Sequence, residues 1–106
     1  MVIVETQIFT RQVQALLTDD EYRDLQLLLM EHPDIGAIIP GTGGLRKVRW
    51  GAKGHGKRGG VRSIYYWAVK KDQILLLLIY AKNEKEDLSA NQKKILRRIV
   101  EDEYDG

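Results

Sequence analysis

The spacing of hydrophobic residues predicts a strand and two helices in the first third of the chain. A β-branched run at 2–4 fits an initial strand, and apolar residues then recur at helical spacing, which predicts a first helix near 6–17. Residues 18–21, Thr-Asp-Asp-Glu, match a capping box, in which a Thr hydroxyl and a Glu carboxylate satisfy free amides at a helix start. A second helix therefore begins there, and Pro33 stops it, with His32 helping to terminate it.

The remaining chain predicts three strands and a closing helix. Nine of the ten glycines fall between Gly36 and Gly60, a window without helical periodicity. The predicted elements are a strand at Leu45–Trp50, a glycine-rich loop at 51–60, a strand at 61–69, a tight turn at 70–72, a strand at 73–82 and a helix from a capping box at 89–92 to about residue 102. Because residues 74–79 are all apolar, the last strand is expected to be central and covered on both faces. The predicted order is β-α-α-β-β-β-α, an α+β fold in a single domain over 1–106.

Alternation along the three later strands sorts their side chains between two faces of the sheet. Three pairs of basic or aromatic residues each share a face: Lys47 with Arg49, Arg62 with Tyr66, and Tyr80 with Lys82. Arg46 is expected on the face opposite Lys47. If the three pairs lie on the side of the sheet away from the N-terminal helices, they converge on the floor of one groove.

Charge is distributed unevenly along the chain. The formal net charge is only +2, but residues 35–71 hold nine basic residues and no acidic ones, whereas 1–34 hold seven acids and two bases, and 72–106 hold eight acids and six bases. The nine bases are Arg46, Lys47, Arg49, Lys53, Lys57, Arg58, Arg62, Lys70 and Lys71. Apolar and aromatic residues are interleaved with them, so this basic segment is expected to fold as part of the sheet. An ordered basic surface with aromatic rings is typical of a nucleic-acid-binding protein.

Composition excludes several other classes of protein. With no cysteine, the chain has no disulfide, thiolate metal site or thiol nucleophile. No signal segment or membrane-spanning run is evident, so a cytoplasmic protein is expected. His32 and His55 are isolated in the sequence, so neither a metal site nor a metal cofactor is expected.

The glycine-rich loop matches the nucleotide-binding pattern G-x-x-x-x-G-K at 51–57. Arg58 stands where Ser or Thr would hold magnesium, and a strand follows where a helix is needed, so a nucleotide site is rejected. We interpret the loop as an RNA-binding element in which Lys53, Lys57 and Arg58 supply charge. His55 is either a solvated loop residue or a proton donor or acceptor near bound RNA.

The lack of carboxylates in the basic segment argues against a two-metal nuclease, which needs acidic ligands beside the scissile phosphate. RNA can be cut without a metal, because its 2′-hydroxyl can attack the adjacent phosphate. A base must remove the 2′-proton, an acid must protonate the leaving 5′-oxygen, and cations must stabilise the added charge. Clustered Lys, Arg and Tyr side chains can fill these roles when neighbouring charges lower the pKa of a lysine.

Several segments together resemble the HigB branch of the RelE/ParE toxin superfamily. They are GTGGLRKVR at 41–49, GHGKRGGVRSIYY at 54–66, IYAKNE at 79–84, DLS at 87–89 and NQK at 91–93. The resemblance covers nearly the whole chain and implies a type II toxin that enters the ribosomal 30S A site, cuts mRNA there, and is silenced by an antitoxin with a helix-turn-helix domain. It also implies a RelE-like fold with a small, twisted, mostly antiparallel sheet packed on N-terminal helices, in agreement with the predicted order.

The resemblance implies that Lys47, Arg49 and Arg62 bind and polarise the scissile phosphate. Lys82 fits a basic position after the last strand, although Asn83 stands where some relatives keep Arg. The identity of the general acid is therefore open, with Tyr80 and Lys57 as the next candidates. The predicted catalytic residues are Lys47, Arg49, Arg62, Tyr80 and Lys82, and the predicted RNA-binding residues are Arg46, Lys53, His55, Lys57, Arg58 and Tyr66.

Two other functions are compatible with the same basic segment. A non-catalytic nucleic-acid-binding module, or a gyrase-targeting toxin of the same fold, would bind without cutting RNA. Alternatively, the charge could face only an acidic antitoxin. The sequence alone favours the endoribonuclease over both.

Overall fold

The computed structural model describes residues 1–51, 60–82, 84 and 87–104. In chain order the described elements are strand β1 (Val2–Glu5), helix α1 (Gln7–Leu16), helix α2 (Asp19–Glu31), strand β2 (Ala37–Ile38), strand β3 (Leu45–Trp50), strand β4 (Val61–Ala68), a 3-10 turn (Val69–Lys71), strand β5 (Gln73–Ala81) and helix α3 (Ala90–Tyr104). The predicted helices and longer strands are confirmed, with ends within about two residues. The short strand β2 was not predicted, because two residues are too few to produce a recognisable alternation.

The helix starts follow the predicted capping chemistry. At α2 the Glu21 amide donates to the Thr18 hydroxyl at 3.2 Å, and the Thr18 amide donates to the Glu21 carboxylate at 2.8 Å. At α3 the Ser89 amide donates to Gln92 Oε1 at 2.9 Å, and the Gln92 amide donates to the Ser89 hydroxyl at 3.1 Å. His32 is the C-cap of α2, as predicted. Local sequence therefore determines where α2 and α3 begin and where α2 ends.

The strands form one mixed sheet in the order β1-β5-β4-β3-β2. Strand β1 runs parallel to β5, in a register that pairs Val2 with Gln73, and the other three neighbouring pairs are antiparallel. The prediction of a mostly antiparallel sheet is thus confirmed. Strand β5 is an interior strand, although the middle position belongs to β4.

Helices cover both faces of the sheet. On one face, α1 and α2 contribute Phe9 and Leu25 to a core that includes Val48 and Tyr65. On the other face, α3 packs its apolar stripe on a second core. That second core consists of Leu45, Ile64, Leu75, Leu77, Leu78, Tyr80, Leu88, Leu96 and Val100. Both faces of β5 are therefore covered, as the run of apolar residues in this strand predicted.

A β-bulge interrupts the pairing of β4 with β5. Ile64 pairs with Leu78, but the next residue, Tyr65, pairs with Leu76, so Leu77 is an extra residue on β5. Leu77 and Leu78 are neighbours in the chain, yet both belong to the second core. The bulge therefore reverses which face each later residue of β5 occupies, and it places Tyr80 on the α3 side.

Candidate active site

A row of polar side chains crosses three strands on the α3 side of the sheet. Arg49 on β3 pairs with Arg62 on β4, and Arg62 pairs with Tyr80 on β5. Lys47 lies two residues before Arg49 and so shares its face, directly opposite Ile64 of the second core. The structure thus brings together four of the five predicted catalytic residues on the face away from α1 and α2.

The members of this row differ strongly in burial. Arg49 is exposed, the Lys47 side chain is 24% exposed, Arg62 is 5% exposed and Tyr80 is 2% exposed. The row therefore runs from an exposed arginine on β3 to buried polar side chains on β4 and β5. A cation held at a protein surface of lower dielectric acts more strongly on a bound anion than one in open water.

Tyr80 lies between charges of opposite sign. Burial raises the pKa of the Tyr80 hydroxyl above its usual value of 10, and the Asp87 carboxylate raises it further, while the Arg62 guanidinium partly offsets both effects. The hydroxyl is consequently protonated at neutral pH. It can donate a hydrogen bond or a proton there, but it cannot act as a base.

Asp87 is a site residue that the sequence reasoning missed. Its carboxylate lies 3.1 Å from the Lys47 ammonium, across 40 residues of chain. The next residue, Leu88, is buried in the second core, and Ser89 caps α3, so the chain is anchored directly after Asp87. The basic segment is free of acids in sequence, but the fold brings this carboxylate to it from outside 35–71.

A groove opens beside the row, between the β2–β3 edge and the start of α3. Its volume is about 450 Å³, and its charged lining consists of Lys47, Arg49, Asp87 and Lys93. Lys93 is half-buried on the first turns of α3 and was also missed, since it lies in a mixed-charge helix rather than in the basic segment. The groove is thus lined by cations from two separate elements.

Arg46 lies on the other face of the sheet from the row, as its alternation with Lys47 predicts. Its guanidinium donates to the carbonyl oxygens of Asp34 at 3.1 Å and Gly36 at 2.8 Å. The Tyr65 hydroxyl assists by accepting from the Gly36 amide at 2.9 Å. Arg46 therefore anchors the chain leading into β2, and this position does not support the RNA-binding role predicted for it.

Tyr66 and Lys82 are described but are not members of the cross-strand row Arg49–Arg62–Tyr80. Tyr66 is on the α3 side, four residues along β4 from Arg62, and its ring packs against Tyr104 with centroids 5.5 Å apart. Lys82 is exposed, one residue past β5, and its amide donates to the Gly60 carbonyl at 3.2 Å. The predicted RNA-binding residues Lys53, His55, Lys57 and Arg58 lie outside the described residues.

Gly60 closes the base of the β3–β4 hairpin in a conformation that favours glycine. Its φ is +57°, and a Cβ atom there would lie 2.2 Å from the Trp50 carbonyl oxygen. Gly60→Ala should lower the free energy of unfolding by about 1–3 kcal/mol or more, because backbone atoms must move to admit the methyl group. Urea unfolding measures this, with Gly51→Ala as the matched control, since nothing lies within 4 Å of a Cβ at that position. Equal unfolding midpoints for the two variants would contradict the close contact between Gly60 and the Trp50 carbonyl.

Comparison with known proteins places the chain in a family. The family described as "RelE toxin of RelE / RelB toxin-antitoxin system" matches residues 1–104. Among solved structures, the fold is similar to that of a double arginine-to-alanine mutant of the E. coli toxin RelE in the free state. The TM-score is 0.58 at 15% sequence identity, covering 80% of this chain and 86% of that one.

The fold is similar to that of a toxin, and the family match over nearly the whole chain makes the assignment specific. The chain belongs to the RelE toxin family, the toxins of toxin–antitoxin systems that act as ribosome-dependent mRNA endoribonucleases. Membership implies an antitoxin partner and action on mRNA. Within the part of the chain that the structure describes, no helix is long and apolar enough to cross a bilayer, and no group of three or more His, Asp or Glu side chains is arranged to hold a metal ion.

Proposed function

We propose that this toxin cuts mRNA at the 30S A site without a metal, using the row Arg49–Arg62–Tyr80 together with Lys47. The observation that carries the proposal is the cross-strand register, which aligns two guanidinium groups and a protonated phenol on one face of the sheet. The row supplies cationic donors where a metal-dependent nuclease supplies carboxylates. Guanidinium groups bind phosphate through paired hydrogen bonds, which suits them to hold the scissile group.

The proposed reaction is an internal transfer within the RNA. The 2′-oxygen bonds to the adjacent phosphorus and gives up its proton, the bond from phosphorus to the 5′-oxygen breaks, and the departing oxygen takes up a proton. The products carry a 2′,3′-cyclic phosphate and a 5′-hydroxyl. Arg49, Arg62 and Lys47 stabilise the charge that accumulates on the phosphate oxygens in the transition state.

Tyr80 is the proposed donor of the proton to the leaving 5′-oxygen. Its raised pKa keeps the hydroxyl protonated at the pH of translation, and its place beside Arg62 puts it next to the phosphate-binding groups. Lys82, exposed at the end of β5, is the second candidate for this proton. Lys53, His55, Lys57 and Arg58, in the predicted loop between β3 and β4, remain predicted RNA contacts.

The partners and location complete the proposal. A cognate antitoxin with a helix-turn-helix domain, membership of the HigB branch, and action in the cytoplasm all follow from the sequence resemblance given above. The basic row and groove offer such an antitoxin a target for acidic side chains, so inhibition and RNA binding can compete for one surface.

Mapping mRNA ends after brief induction of the toxin tests the proposal. We expect growth arrest and new mRNA ends inside codons, with downstream fragments that begin with a 5′-hydroxyl and upstream fragments that end in a 2′,3′-cyclic phosphate. Ligation methods selective for each end group detect both. Growth arrest with intact mRNA and DNA damage would instead indicate a gyrase-targeting toxin, and fragments ending in a 3′-hydroxyl would rule out attack by the 2′-oxygen.

A further inference from the structure

The groove beside the row has one apolar wall that the cleavage chemistry does not use. Ala37, Ile39 and Pro40 form this wall along the β2 edge, and Ala37 pairs with Lys47 and so shares its face. Arg46 and Tyr65 hold the preceding segment in place through the backbone of Gly36. A fixed apolar surface next to cations suits the flat face of a nucleobase joined to a phosphate.

Cations reach the groove from β3 and from α3. Lys47 and Arg49 are two residues apart on one strand face, which separates them by about 6.6 Å. This spacing is close to that between successive phosphates of an extended RNA strand. Lys93 faces the groove from α3 and is half-buried, whereas its neighbour Lys94 is exposed and does not line it.

The ion pair of Lys47 with Asp87 places an oxyanion at the lining of this groove. The carboxylate oxygen lies 3.1 Å from the ammonium, while the Asp87 side chain is 79% exposed. An exposed ion pair of this kind contributes only about 0–1 kcal/mol. A phosphate carried into the groove by a bound RNA strand can therefore displace it.

We propose that the groove is a second RNA subsite, which holds the nucleotide next to the scissile phosphate in a single strand. Its phosphate lies between Lys47 and Lys93, so that Lys47 stands between this phosphate and the scissile one and contacts both. Its base packs on the wall formed by Ala37, Ile39 and Pro40, and Asp87 releases Lys47 when the nucleotide binds. The proposal rests on the proposed function, because it takes Arg49 and Arg62 as the site of the scissile phosphate. It adds Lys93 as a binding residue and Asp87 as a competing anion.

Binding of short RNA analogues tests the subsite. The probes are a dinucleotide with a 2′-deoxy group at the cleavage position, which cannot be cut, and the two trinucleotides that extend it by one nucleotide at either end. Fluorescence anisotropy compares their affinity for the wild type, Lys93→Ala, Asp87→Asn and the matched control Lys94→Ala. Because the interaction is electrostatic, each series is repeated over a range of salt concentrations.

For one of the two trinucleotides, Lys93→Ala should weaken binding about five-fold and reduce the slope of log affinity against log salt by about 0.7, the value for one phosphate contact on a single strand. The dinucleotide should bind both proteins equally. Asp87→Asn should strengthen trinucleotide binding about three-fold or more, because the competing carboxylate is gone. Lys94→Ala should leave the preference for the trinucleotide unchanged.

Two results would overturn the subsite. One is that Lys93→Ala and Lys94→Ala behave alike with every probe. The other is that Lys93→Ala weakens the dinucleotide as much as the trinucleotides, which would indicate a general charge effect. Cleavage of mRNA on programmed ribosomes by the wild type distinguishes failure of the subsite from failure of the proposed function. Absence of cutting contradicts the proposed function. Cutting combined with either result above contradicts the subsite alone.

Discussion

Replacing Arg62 by alanine should slow mRNA cleavage on programmed ribosomes by a factor of about 10² to 10³, the usual cost of removing one group that stabilises charge in a transition state. Arg62 is 5% exposed and lies at the centre of the row, paired with Arg49 on one side and Tyr80 on the other. The loss should appear in kcat more than in KM, because the guanidinium meets the full phosphate charge only as the bonds rearrange.

The matched control for this experiment is Arg46→Ala. Arg46 lies on the neighbouring strand but points to the opposite face, where it donates to two backbone carbonyls. Its removal should lower the melting temperature and leave kcat within about three-fold of the wild type. Circular dichroism of Arg62→Ala shows whether it is folded, and Arg62→Lys, which keeps the charge but loses the paired donors, should retain intermediate activity. A folded Arg62→Ala protein with normal kcat would end the assignment of the row.

Replacing Tyr80 by phenylalanine should reduce kcat by about 10² or more, because the leaving 5′-oxygen loses its proton donor. The ring, and with it the packing in the second core, is preserved. Tyr66→Phe is the matched control, since Tyr66 is on the same side of the sheet but packs against Tyr104 instead of Arg62. Single-turnover cleavage measures both, and equal rates for the two variants would transfer the proton-donor role to Lys82.

The pH dependence of cleavage gives a second test of Tyr80. A proton donor works below its pKa, and burial and Asp87 both raise this pKa above 10. Ionisation of Tyr80 should therefore cause no fall in kcat between pH 7 and pH 9. A fall within that range in the wild type that disappears in Tyr80→Phe would show that the hydroxyl ionises early, and it would contradict the role given to it here.

Most of the fold follows from local sequence signals. The capping boxes at Thr18 and Ser89 fix two helix starts, and the apolar run in β5 requires helices on both faces of the sheet. Strand β2 lacks such a signal. Its position depends on contacts made elsewhere, namely the Arg46 and Tyr65 hydrogen bonds to the segment before it.

The candidate site was predictable only where its residues share a strand or a run of charge. Lys47, Arg49 and Arg62 stood out in the acid-free basic segment. Asp87 precedes α3 and Lys93 lies in its first turn, and both reach the groove only through packing. Alternation along β3 correctly predicted that Arg46 and Lys47 lie on opposite faces of the sheet. It could not show that Arg46 would be used to hold backbone carbonyls, because those carbonyls belong to a segment ten or more residues away.

The position of Tyr80 illustrates a limit of reasoning from alternation. Counted from Ile74 and Leu76, which face α1 and α2, strict alternation assigns Tyr80 to the same side. The extra residue Leu77 reverses the pattern and moves Tyr80 to the α3 side beside Arg62. Bulges depend on cross-strand pairing, so a run of six consecutive apolar residues gives no sign of where the extra residue lies.

The parallel pairing of β1 with β5 also bears on when a newly made chain becomes harmful. Val2 cannot find its partner Gln73 until about two thirds of the polypeptide has been synthesised, and the α3 side is covered only when Ala90–Tyr104 has emerged. Contacts so distant in sequence form late during folding. We therefore expect the complete sheet to assemble only after most of the chain has been translated, which leaves an interval before the folded toxin needs an antitoxin.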